Sequence, residues 1–98
     1  MAINKKFNSK EILSVQKVIN DFFISYQYEL YDKDWIIFRN LGTFKSIYVM
    51  KLPYHFELRI DYIDYGFTET YHSMRDLCSD LKLYLSTSKH TSIHNCNI

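Results

Sequence analysis

The sequence predicts an α+β domain: an antiparallel four- to five-stranded meander sheet with N- and C-terminal helices packed on one face. Three observations lead there. The stretch Tyr54 to Asp64, YHFELRIDYID, alternates strictly. Tyr54, Phe56, Leu58, Ile60 and Tyr62 fall on one side and His55, Glu57, Arg59 and Asp61 on the other, which is the period of a strand with one face toward apolar matter. Apolar residues recur at helical spacing near both ends of the chain. Between these ends, short turn signals separate β-rich runs, and sequential strands joined by short turns make a meander.

The elements follow in order. Asn8 or Ser9 can cap a first helix, and Glu11 sits at the third helical position if Asn8 is the cap, the pattern of a capping box. Ile12, Val15, Ile19 and Phe22 make its stripe, widened by Val18 and Phe23, so the helix is expected over about Ser9 to Phe23. Met1 to Phe7 form a lead-in. Ile24 to Tyr31 switches to period two and reads as the first strand. Asp32-Lys33-Asp34 is a turn, Trp35 to Arg39 the second strand, Asn40 to Thr43 the next turn, and Phe44 to Leu52 the third strand. Pro53 marks the turn into the long strand, and Gly66 ends that strand. Phe67 to Tyr71 is either a short fifth strand or an irregular crossover, with strand the expectation. Ser73 and Asp76 start a second helix over about Met74 to Leu85, with its stripe at Met74, Leu77, Cys78, Leu81 and Leu85. Residues 1–86 are thus expected to form one domain and residues 87–98 a flexible polar tail.

Turn lengths set the register, and register sets the faces. A three-residue turn pairs Tyr31 with Trp35. A four-residue turn at Asn40 to Thr43 pairs Trp35 with Tyr48. A four-residue turn at Leu52 to His55 pairs Val49 with Leu58. The helix-facing set is then Tyr26, Tyr28, Leu30, Ile36, Phe38, Ile47, Val49, Phe56, Leu58 and Ile60. The opposite face receives Tyr31, Trp35, Ile37, Tyr48 and Met50, with Arg39, Glu57, Arg59 and Asp61 around them. A turn one residue shorter would swap the two sets on its strand. So many apolar groups on an open face predict a docking surface. Tyr31, Trp35, Ile37, Arg39, Tyr48, Met50 and Arg59 are its candidate partner-binding residues.

Composition bounds the function. Nine tyrosines and seven phenylalanines supply an aromatic-rich core and surface, and a net charge of +1 gives no general affinity for polyanions. No run of about 18 apolar residues spans a membrane, and the first residues lack the apolar core of a signal peptide, so the cytoplasm is the expected location. Cys78 and Cys96 do not make a disulfide framework. His90 and His94 are spaced to clamp a metal if helical, but His90, His94 and Cys96, with Cys78 or His72, include no CxxC pair and the tail has no helical pattern, so neither metal nor cofactor is expected. His72, Ser73 and Asp76 are explained by a helix cap, and His55 with Glu57 by a solvated strand face, so no enzyme is expected.

The expected function is that of a small non-enzymatic protein-binding module. The partner is another protein, a host target, or a second copy in a homodimer. The lean toward Ile, Lys, Asn, Tyr and Phe, all specified by A/T-rich codons, associates the chain with phage and mobile-element accessory proteins. The finer expectation is an inhibitor of a host nuclease or other host protein, of the counter-defence, anti-CRISPR-like type. The alternative is a single-stranded nucleic-acid-binding protein that stacks bases on Tyr31, Trp35 and Tyr48 beside Arg39, Arg59 and Lys45.

Overall fold

The structure, a computed structural model, describes residues 6–42 and 44–96, and from position 88 onward the backbone alone. The element order is α1 (Ser9–Phe22), β1 (Gln27–Tyr31), β2 (Trp35–Leu41), β3 (Phe44–Lys51), β4 (Phe56–Tyr62), β5 (Gly66–Tyr71) and α2 (Met74–Cys96). The five strands form one antiparallel sheet in the order β1-β2-β3-β4-β5, the expected meander. Buried residues of both helices and of one sheet face join a single core, so both helices cover that face.

The start of α1 is over-determined. The Asn8 carboxamide accepts from Glu11 N–H at 2.8 Å, and Glu11 accepts from Asn8 N–H at 3.0 Å. Two of the helix's orphan donors are thereby satisfied. The same Glu11 carboxylate receives Lys51 Nζ at 2.8 Å, which fixes the helix against the end of β3. Phe7, expected as lead-in, is a core residue and stacks on Phe56 at 6.5 Å. It precedes the cap, and Ile12, the fourth helical residue, joins the same core. This is the placement of a hydrophobic staple. Asn8→Ala is expected to lower stability by about 1 kcal/mol, read as a fall of roughly 4–8 °C in thermal midpoint. An unchanged midpoint would show that α1 is held by its packing alone.

Three turns set the register. Tyr31 pairs with Trp35 around Asp32-Lys33-Asp34, and Lys51 with Phe56 around Leu52 to His55, both as expected. The β2–β3 connection differs. Leu41 pairs with Phe44, so it is two residues long instead of four, and Trp35 lies opposite Met50 instead of Tyr48. The slip is two residues, the period of a strand, so both faces keep their expected members.

Near that turn the alternation breaks. Asn40 adopts φ +60°, and a register shift separates Phe44 from Ser46. Asn tolerates this left-handed conformation better than most residues. The two irregularities turn Leu41 and Phe44 into the core, where strict alternation would send Phe44 outward.

Other boundaries move too. The strand expected over Tyr54 to Asp64 is β4, Phe56–Tyr62. Leu52 N–H donates to His55 O, and Tyr62 N–H to Tyr65 O, so both its ends are taken into turns. Tyr54 and Ile63 are exposed in consequence. Leu30, expected to face the helices, is 36% exposed. It sits on edge strand β1, whereas α2 packs over β4 and β5. The helix expected to end near Leu85 continues to Cys96, through the stretch expected as an irregular tail. Leu77, Leu81 and Leu85 are its buried stripe. The side chains of His90, His94 and Cys96 lie outside the described residues.

Candidate docking face

The face opposite the helices is built from three cross-strand rows. The central row is Glu29, Ile37, Tyr48, Arg59 and Thr68, one residue from each strand in turn. One flanking row is Tyr31, Trp35, Met50, Glu57 and Thr70. The other is Gln27, Arg39, Ser46, Asp61 and Gly66. All seven candidate residues lie in these rows. Register alone brings them together, since residues opposite each other on one face are side-chain neighbours.

The aromatic groups form a chain of contacts. Tyr31 and Trp35 lie directly opposite, with ring centroids 5.7 Å apart. Trp35 meets Tyr48 edge-on at 6.1 Å, on the diagonal that replaces the expected direct pair. Trp35 is 37% exposed and Tyr31 41%, while Tyr48 and Met50 are half-buried. Ile37 belongs to this face but is only 3% exposed. It lies mid-sheet between Glu29 and Tyr48, so it forms floor instead of contact surface.

Charge surrounds the aromatic row in matched pairs. Arg39 donates to Glu29, which also accepts from the Tyr31 hydroxyl at 3.1 Å. The Glu29 and Tyr31 hydrogen bonds raise the Arg39 pKa above its already high value. Arg59 pairs with Asp61 at 2.9 Å and donates to Thr68 at 3.3 Å. Gly66 makes room for the Arg59 pair: a Cβ there would overlap Asp61 Oδ1 and come within 3.0 Å of Arg59 Nη2. Glu57 has His55 Nε2 at 3.4 Å. Three carboxylates and two guanidinium groups thus stand in the rows, and both arginines already hold an anion.

A recess of about 240 Å³ opens in this face among Trp35, Tyr48, Met50, Glu57, Arg59 and Thr68. Its walls are mostly apolar, with a carboxylate and a guanidinium at the rim. Thr68, Thr70 and Gly66 escaped the sequence reading as members of the face. The signal was present: with β5 paired to β4, every second residue from Gly66 falls on the face of Arg59.

Ser73 Oγ accepts from Asp76 N–H at 3.1 Å, which is a helix cap. Among the described residues, no three His, Cys, Asp or Glu side chains are placed to hold a metal ion. No helix among them is long and apolar enough to cross a membrane. Comparison with known proteins finds no matching family model, curated protein or solved structure.

Proposed function

We propose that the chain is a small non-catalytic binding protein whose uncovered sheet face docks on another protein, a host target or a second copy, in the cytoplasm. The observation that carries this reading is the contiguous Tyr31–Trp35–Tyr48 row on a sheet face that neither α1 nor α2 covers. Trp, Tyr, Met and Arg are the types enriched where proteins meet, and a buried aromatic anchor ringed by polar groups is the usual energetic centre. The recess beside Trp35 offers a pocket for one apolar side chain of the partner, with Glu57 and Arg59 to orient it. Inhibition of a host nuclease by a phage-encoded chain is the finer form of the proposal, supported by composition alone.

The second reading is single-stranded nucleic acid on the same face. It is favoured by exposed rings beside Arg59, since bases stack on such rings. It is opposed by the pairing of both arginines with carboxylates, which leaves no cation of these rows free for phosphate.

The test compares wild type with Trp35→Ala. Sedimentation over a concentration series reads self-association, and affinity capture from the native host reads hetero-association. A complex formed by wild type and lost by the folded variant is expected. Binding of a thymidylate oligomer of about twenty residues, weakening steeply with salt, would favour nucleic acid instead.

A further inference from the structure

On the opposite side of the molecule, α1 and α2 enclose a groove of about 570 Å³. Its two rims match. Lys10, Ser14 and Lys17 line it from α1, and Arg75, Ser79 and Lys82 line it from α2. Both sets have the spacing i, i+4, i+7, which puts each on one stripe of its helix. Each stripe therefore carries a cation at both ends, about 10 Å apart along the axis, with a small hydroxyl between.

The four cations are exposed, and among the described residues none has an ion-pair partner. The groove's one carboxylate, Glu11, is occupied by Lys51 Nζ and Asn8 N–H. The first turns of both helices line the groove, so the positive ends of two helix dipoles reinforce its potential. A chain of net charge +1 thus concentrates four unmatched positive charges around one concavity.

The floor has different chemistry. Val18, Met74 and Cys78 lie between the rims, and the lining is mostly apolar. Burial raises the Cys78 pKa, with Lys82 opposing, so the thiol presents a neutral surface. A phosphodiester backbone would gain nothing from such a floor. A segment with carboxylates flanking an apolar stripe meets both rims and floor at once, and Met adapts to varied apolar side chains.

We propose that this groove binds an acidic amphipathic segment of a partner protein, about two to three helical turns long, with Asp or Glu on the Lys10–Lys17 and Arg75–Lys82 rims and apolar side chains on Val18 and Met74. The site is separate from the aromatic sheet face, because the two lie on opposite sides of the sheet.

The test is a selection from displayed random peptides of about sixteen residues on the full chain. Acidic residues flanking Leu, Ile, Phe or Met at helical spacing are expected to be enriched. The best peptide is then titrated by fluorescence anisotropy. Lys17→Glu with Lys82→Glu should weaken it about tenfold or more, and Lys17→Gln with Lys82→Gln by less. Lys33→Glu with Lys45→Glu makes the same change of net charge at exposed sites that do not line the groove, and should change affinity less than about twofold. Trp35→Ala should leave peptide binding intact, which separates this site from the sheet face. Selection without acidic enrichment, or equal loss in the Lys33 and Lys45 control, would overturn the proposal. So would loss of the peptide in Trp35→Ala. A thymidylate oligomer that outcompetes the peptide and is itself lost on reversal of Lys17 and Lys82 would assign the groove to nucleic acid.

Discussion

Leu58→Ala is expected to lower the free energy of unfolding by about 2–5 kcal/mol. Leu58 has no exposed surface and sits on β4 opposite Val49, which is equally buried. The two strands are held in register on either side, and α2 packs over β4. The surroundings therefore have little freedom to close on the space left by the removed atoms. The loss is the transfer free energy of those atoms plus the cost of the cavity. A domain of this size has only about 5–15 kcal/mol in total, so the variant should unfold at much lower urea. The measurement is a urea titration. A shift in midpoint with unchanged slope is expected, because the folded fold is the same. A cost below about 1 kcal/mol would mean that the core relaxes around the gap, or that this face is not the packed one.

Trp35→Ala is expected to weaken association by about 2 kcal/mol or more while costing folding much less than Leu58→Ala. The ring is more than half covered by its own sheet, by Tyr31 and Tyr48 among others, and still 37% exposed. It is held in place before any partner arrives, so little ordering entropy remains to be lost on binding. Removal should enlarge the adjoining recess and deprive the partner of its anchor. Arg39 and Arg59 already have carboxylate partners. Their loss should change association rate and salt dependence more than affinity. Melting and association are measured on the same samples of Trp35→Ala and Leu58→Ala. If Trp35→Ala unfolds the protein and its folded fraction still associates normally, the ring is a core residue and the docking proposal fails.

Much of this architecture is legible in the residues because two signals agree. The helical stripe of α1 and its Asn8–Glu11 box point to the same start, and the structure has both. The alternation of β2 and β3 survives a slip of two residues, which is why the shorter Leu41-to-Phe44 connection changed neighbours without changing faces. What was hidden depends on backbone conformations that no period reveals. Asn40 at positive φ and the shift before Ser46 carry Leu41 and Phe44 inward against the alternation. Phe7 was hidden for another reason: one aromatic residue before a cap has no period at all, and its tie to the Lys33 carbonyl and its stacking on Phe56 are long-range contacts. On the candidate docking face, the seven candidate residues were legible but their depth was not. Pattern places Ile37 beside Trp35, but Ile37 is 3% exposed and Trp35 37%, so one is floor and the other surface.

The strictly sequential order of the strands has a kinetic consequence. Each strand pairs with its chain neighbour, so each hairpin closes a short loop at small entropic cost. The contact between α1 and α2 joins the two ends of the described chain and is the most expensive closure in the molecule. Folding should therefore begin in the hairpins around β3 and finish when the helices meet over them. Substitutions at Val49 should slow refolding, whereas substitutions at Val18 or Leu81 should mainly speed unfolding. Stopped-flow refolding and unfolding limbs distinguish the two. A Leu81→Ala variant that slows refolding as much as Val49→Ala would place helix closure at the start instead.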